Sequence, residues 1–118
     1  MSHFPKINTA IPHRRYRVGE FDVTLLGDIE SSEDVEYRYI LAFVEEGKPK
    51  PAFYVCSERN PPGQRADGSH RLRMINEVMS EVLSSDDAWK DMDRFAEEGL
   101  KVGIKALGLR DENPVRLS

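Results

Sequence analysis

Apolar and polar side chains alternate along the first half of the chain with the two-residue period of half-buried β-strands. The alternation covers residues 14–26, 35–45 and 52–57. Within the first segment it changes phase at Gly19, which favours a β-bulge, although a Gly-Glu turn would instead make a short extra hairpin and a fourth strand. The three segments predict an antiparallel meander.

The middle segment differs from the other two because its second half is apolar on both faces. One face carries four apolar residues, namely Tyr37, Tyr39, Leu41 and Phe43. The opposite face begins with charged residues and continues with Ile40, Ala42 and Val44. A strand that is apolar on both sides is typical of the centre of a sheet. We therefore expect residues 35–45 to be the central strand.

The second half of the chain changes to the three- and four-residue spacing of amphipathic α-helices. Ser69 is placed to cap the first helix. The buried side of this helix would carry five apolar residues, namely Leu72, Ile75, Val78, Met79 and Val82. Ser84 and Ser85 separate it from a second helix over residues 86–107, which Gly108 ends.

Two glycines interrupt the second predicted helix. Gly99 and Gly103 lie one turn apart, and together they cost about 2 kcal/mol relative to alanine. A close approach to a neighbouring element would offset this cost. The pair therefore predicts that the helix packs tightly on the sheet or on the first helix.

Three strands followed by two helices predict an α+β fold, a two-layer sandwich with both helices on one face of the antiparallel three-stranded meander. The domain would cover residues 14–109. Residues 1–13 would form an N-terminal arm that is partly ordered at best, and residues 110–118 a C-terminal tail.

Two helices can cover only one face of this sheet, so the opposite face needs an explanation. Its apolar residues would be Leu26, Ile40, Ala42 and Val44. An exposed patch of this kind indicates an interface. Alternatively, the N-terminal arm would lie across it through Phe4, Ile7 and Ile11.

Composition predicts a soluble globular protein with one core. The 118 residues are 39% hydrophobic and 32% charged, and no apolar run approaches the roughly 20 residues that a bilayer requires. The first ten residues lack the pattern of a secretory signal, and Cys56 is the only cysteine, so we expect a reducing, cytoplasmic location. The net charge of −4 argues against nucleic acid as a partner.

Cationic residues cluster in and after the segment 58–68, which is rich in proline and glycine. They are Arg59, Arg65, His70, Arg71 and Arg73. A flexible loop that meets a helix N-terminus suits a phosphate or a carboxylate. Cys56 precedes this loop, and His70 could serve as the base for its thiolate if the loop folds back. The alternatives are a solvated or partner-facing loop and a packed thiol.

The sequence predicts no metal site and no cofactor. His3, His13 and His70 lack the spacings that assemble metal ligands, and the acidic residues in 28–34 lack the ligand order of a calcium loop. The leading expectation is a non-enzymatic protein-interaction module, with a protein partner or a homodimer formed through the open sheet face or a sheet edge. The alternative is an anionic-ligand or enzymatic site in the loop 59–73 near Cys56.

Overall fold

Seven β-strands and one α-helix make up the part of the chain that the computed structural model describes, residues 4–109 and 113–118. The strands are β1 (Ile7–Val18), β2 (Phe21–Ser31), β3 (Tyr37–Glu45), β4 (Phe53–Arg59), β5 (His70–Asn76), β6 (Ser80–Asp86) and β7 (Val115–Arg116). The helix is α1 (Met92–Leu107), and Pro62–Gln64 and Asp87–Lys90 are short 3₁₀ helices. The strands form one antiparallel sheet in the order β6-β5-β4-β3-β2-β1-β7.

The prediction of a three-stranded meander with two helices is wrong, because the first predicted helix is the strand pair β5 and β6. Leu72 packs in the core beneath α1, whereas Ile75 packs on the opposite face of the sheet. Val78, Met79 and Val82 are exposed. The three-residue spacing therefore arises from a strand with apolar residues on both sides, followed by an exposed hairpin, and not from one helical stripe.

The segment around Gly19 is a hairpin turn. Gly19 has a φ of 55° and, with Glu20, joins β1 to β2. The interpretation of Gly19 as a bulge is therefore wrong, and the alternative of an extra hairpin is correct. β1 begins at Ile7, so part of the predicted N-terminal arm pairs with β2. Three register shifts along this pairing explain why residues 7–13 show no regular alternation.

The last described residues return to the first strand. β7 pairs with Tyr16 and Arg17 of β1, and the Leu117 N–H donates to the Arg15 carbonyl at 2.8 Å. Part of the predicted C-terminal tail thus belongs to the sheet, while residues 110–112 lie outside the described residues.

α1 corresponds to the second predicted helix but begins later, because residues 87–90 form a 3₁₀ turn. The Asp91 carboxylate caps α1 by accepting a hydrogen bond from the Arg94 N–H at 3.0 Å. Gly108 ends it in the left-handed conformation, with a φ of 71°, as the sequence predicts.

The cap at Asp91 gives a first testable prediction. We expect Asp91→Ala to lower the free energy of unfolding by about 1 kcal/mol, because the N–H of Arg94 loses its acceptor. Urea unfolding followed by circular dichroism measures the change. Glu97→Ala is the matched control, since its ion pair with Lys101 is exposed and is worth less than about 0.5 kcal/mol. Equal losses in both variants would contradict the capping role.

The main core lies between α1 and the centre of the sheet. Phe95 stacks on Tyr39 with ring centroids 5.8 Å apart, and Phe43 stacks on Phe53 at 4.4 Å. The two helix glycines permit this packing. A Cβ on Gly99 would lie 2.5 Å from Leu41 Cδ1, and a Cβ on Gly103 would overlap the Phe43 ring. The close approach predicted from the glycines is therefore made to side chains of β3.

Candidate functional site

The six candidate ligand residues are divided between the two faces of the sheet. Directly paired residues of antiparallel strands share a face. Arg59 pairs with His70, whereas Cys56 pairs with Arg73. Because Cys56 and Arg59 are three residues apart on β4, their side chains point to opposite faces. The structure therefore does not bring Cys56 together with His70.

Arg71 and Arg73 are held by a buried carboxylate. Glu58 is 1% exposed, and its Oε1 accepts hydrogen bonds from the Arg71 Nε at 2.7 Å and the Arg73 Nε at 3.0 Å. Arg73 also donates from Nη1 to the Ser80 hydroxyl at 2.6 Å. These contacts explain how a face of β5 with two arginines can be largely buried, and they leave both arginines engaged within the sheet.

Cys56 is fully buried beside this ion-pair cluster. Burial raises the pKa of the Cys56 thiol well above its usual value, and the Glu58 carboxylate raises it further, whereas Arg73 lowers it. The residue packs in an apolar cluster with Ile40 and Ile75. A protonated thiol without solvent access is a poor nucleophile.

The remaining cationic residues line a pocket of about 510 Å³ at the end of β4. Its cationic and titratable residues are Arg38 on β3, Arg59 at the end of β4, Arg65 in the following loop, His70 at the start of β5 and Lys90 just before α1. Ser69, Tyr37 and the acidic residue Glu36 complete the lining. We call this site the basic pocket.

Positive charge in the basic pocket is only partly balanced. Arg59 Nη1 lies 3.3 Å from Glu36 Oε2, and both side chains are exposed. Arg38 donates to the Lys90 carbonyl at 3.3 Å and Arg65 to the Asn60 carbonyl at 2.9 Å. Within residues 4–109 and 113–118, no carboxylate forms an ion pair with Arg38, Arg65 or Lys90.

The pKa of His70 is affected by the same excess of positive charge. Burial lowers the pKa of His70, and the charges of Arg38, Arg59 and Lys90 lower it further, against an opposing effect of Asp87. The imidazole is therefore neutral at neutral pH. Its Nδ1 lies 2.8 Å from the Ser69 hydroxyl, which fixes the orientation of the ring.

Sequence reasoning placed Arg59, Arg65 and His70 in one site and missed Arg38 and Lys90. Arg38 reaches the pocket because β3 pairs with β4, and Lys90 because the 3₁₀ turn follows β6 back across the sheet. A strand pairing is not visible in a local sequence pattern. The alternation of Arg71, Leu72, Arg73 and Met74 was the available signal that this segment is a strand.

The predicted interface residues lie on the face opposite α1, where two of the four are buried and two are partly covered. Ile40 is fully buried and Ala42 is 8% exposed, whereas Leu26 and Val44 are half-buried. Ile40 belongs to a second apolar cluster with Tyr37, Cys56 and Ile75, and further apolar residues pack against that cluster, namely Phe4, Ile7, Leu26, Ile29, Val35 and Tyr54. The first strand and the residues before it thus supply part of the cover.

Exposed apolar side chains concentrate instead on the hairpin of β5 and β6. Val78 is 79% exposed, Met79 41%, Val82 47% and Leu83 39%. β6 is the last strand of the sheet on this side, so its outer backbone groups have no neighbouring strand among the described residues. We call β6 with Val78 and Met79 the β6 edge.

Comparisons with known proteins found no matching family model, no matching curated protein and no matching solved structure. In residues 4–109 and 113–118, no helix is long and apolar enough to cross a membrane. The same residues contain no group of three or more histidine, cysteine, aspartate or glutamate side chains that could hold a metal ion.

Proposed function

We propose that the protein is a non-enzymatic interaction module that binds a second copy of itself through the β6 edge. The observation that carries the proposal is a group of four exposed apolar side chains at one edge of the sheet, Val82 and Leu83 on β6 and Val78 and Met79 in the turn before it. Edge strands with exposed apolar residues template pairing with another strand unless charges, prolines or covering segments prevent it. Strand addition of this kind supplies main-chain hydrogen bonds as well as apolar contact.

The two edges of the sheet differ in how they are protected. On the β1 side, β7 covers Tyr16 and Arg17, and the rest of β1 contains Pro12, register shifts and charged residues. β6 contains no proline, lysine or arginine, and its charged residues are Glu81 and Asp86. One register shift places Leu83 between the residues that pair with Leu72 and Arg73, so both Val82 and Leu83 are exposed. The β6 edge is thus the side on which pairing meets less resistance.

The hairpin tip is held in place before any partner binds. The Asn76 side-chain oxygen accepts hydrogen bonds from the N–H groups of Val78 at 2.9 Å and Met79 at 2.8 Å. An asparagine turn of this kind fixes the local backbone. Val78 and Met79 therefore present their apolar side chains from an ordered turn, which lowers the entropy lost on association.

The charge pattern of β6 is compatible with pairing to itself. In an antiparallel pair centred on Leu83, Glu81 would face Ser85, and Ser80 would face Asp86. In a pair centred on Val82, Glu81 would face Leu83. Neither register places two carboxylates opposite each other, so like-charge repulsion does not oppose the dimer.

Val82→Lys tests this proposal. We expect the wild-type protein to sediment as a dimer, and the variant to have a dissociation constant roughly tenfold higher or more, because each copy would place a charged lysine in the apolar contact. Sedimentation velocity over a concentration series measures the change. Ile11→Lys is the matched control, since Ile11 is 53% exposed at the other edge of the sheet.

A wild-type protein that stays monomeric at the highest concentration would overturn the proposal. So would an Ile11→Lys variant that dissociates as readily as Val82→Lys. Thermal unfolding of both variants at low concentration checks that each lysine leaves the monomer folded.

A further inference from the structure

We propose that the basic pocket binds the phosphoryl group of a small phosphate ester. This site is separate from the β6 edge and does not depend on self-association. Four permanent cations from separate elements, Arg38, Arg59, Arg65 and Lys90, line one pocket together with a single carboxylate. The whole chain has a net charge of −4, so this concentration of positive charge is local.

The charge balance favours a dianion over a singly charged ligand. Glu36 neutralises part of the Arg59 charge and Asp87 interacts electrostatically with Lys90, whereas Arg38 and Arg65 form no ion pair with a carboxylate among the described residues. A phosphate monoester carries close to two negative charges at neutral pH and offers three acceptor oxygens. Guanidinium groups match such oxygens through two parallel hydrogen bonds.

The arginine side chains are oriented by contacts that leave donors free. Arg65 uses its Nε for the Asn60 carbonyl, and Asn60 is itself 3% exposed and bonded through its amide to the Gly68 carbonyl at 2.9 Å. Arg38 uses its Nε for the Lys90 carbonyl, and its guanidinium lies 5.0 Å from the centre of the Tyr39 ring. In each arginine the terminal nitrogens are left for a ligand. Such preorganisation lowers the entropic cost of binding.

The size of the pocket favours an ester over the free ion. Its volume of about 510 Å³ lies within the range of small-molecule sites, roughly 300–1,000 Å³, and a bare phosphate ion would fill only a small part of it. Ser69, Glu36 and His70 add polar groups suited to hydroxyls. We therefore assign the site to a polar phosphate ester, of which glycerol phosphate is a simple probe.

His70 provides a local readout of occupancy. Arg38, Arg59 and Lys90 disfavour its protonated form, Asp87 favours it, and Arg65 and Glu36 are the other charged groups of the pocket. A bound anion offsets the positive charges, so binding raises the pKa of His70. By linkage, protonation of His70 favours the bound state, whereas protonation of the ester, whose second pKa is about 6, disfavours it, so the His70 pKa itself is the readout.

The experiment is an NMR titration of the full chain with glycerol phosphate, inorganic phosphate and acetate, at constant ionic strength set with chloride. We expect saturable shifts of amide signals around the basic pocket and a rise in the His70 pKa. The affinity should decrease from glycerol phosphate to inorganic phosphate to acetate. Lys90→Gln should weaken glycerol phosphate binding about fivefold, the effect of one solvent-exposed charge at about 4 Å. Arg94→Gln, which removes an exposed charge outside the pocket, should leave it unchanged.

Three results would overturn the assignment. Shifts no larger than those caused by chloride would exclude a phosphate site. Equal binding of glycerol phosphate and inorganic phosphate would limit the ligand to the free ion. Equal weakening by Lys90→Gln and Arg94→Gln would show that the attraction comes from general charge and not from the pocket.

Discussion

Glu58→Gln should lower the free energy of unfolding by about 2–3 kcal/mol, the largest loss we expect from a single substitution outside the aromatic core. The side chain keeps its size but loses the charge that holds Arg71 and Arg73 in the sheet. Removing one member of a buried ion pair costs about 3–5 kcal/mol, because the remaining charges stay buried without a partner. The arginine side chains are 19% and 23% exposed, so water offsets part of this cost.

Urea unfolding compares this variant with Glu36→Gln, which removes the same charge from an exposed pair with Arg59. We expect the control to change the free energy of unfolding by less than about 0.5 kcal/mol. Arg71→Gln, alone and combined with Glu58→Gln, completes a double-mutant cycle and gives the coupling energy of the pair. Equal losses in Glu58→Gln and Glu36→Gln would refute the structural role of the buried carboxylate.

Gly103→Ala should destabilise the protein by about 2 kcal/mol, although alanine is the better helix former. The exchange would gain about 1 kcal/mol in an exposed helix. Here the new Cβ would overlap the Phe43 ring, and overpacking of a dense core costs about 1–3 kcal/mol or more. We expect the steric cost to exceed the gain, since Phe43 is fully buried and stacked on Phe53.

The control for this second prediction is Gly63→Ala, where a Cβ would meet no atom within 4 Å. It should leave the free energy of unfolding within about 0.5 kcal/mol of wild type. Phe43→Leu should make room for the new methyl group, so Gly103→Ala should cost less in that background. Stabilisation by Gly103→Ala in the wild-type background would refute the close contact between α1 and β3. Thermal or urea unfolding measures the three single variants and the double variant Phe43→Leu/Gly103→Ala.

Local sequence patterns were sufficient to predict the elements in which buried and exposed residues follow a regular spacing. Alternation predicted strands in the regions of β3 and β4. It also predicted that β3 is central, because the adjacent residues Ile40 and Leu41 are both apolar. In the structure both side chains are fully buried. The last helix and its end at Gly108 followed from apolar spacing and from the conformational freedom of glycine. In these elements, sequence and tertiary packing favour the same structure.

The pattern failed where a charged residue is buried. Arg71 and Arg73 were predicted to bind an anion near a helix N-terminus, whereas in the structure they form ion pairs with Glu58, thirteen or more positions earlier. The partner of a buried charge is set by strand register, which a single sequence does not reveal. The same limit applies to the basic pocket, because Arg38 and Lys90 join Arg59 through strand pairing and through the turn before α1.

The order of strands in the sheet also bears on how the chain folds. Strands β1 to β5 each pair with the next strand in sequence, so these pairings close short loops, and such local contacts favour rapid folding. β7 is the exception, because its Arg116 pairs with Tyr16 at the other end of the chain. The chain therefore can assemble six strands one hairpin at a time, while the seventh must wait until the first strand is already in place.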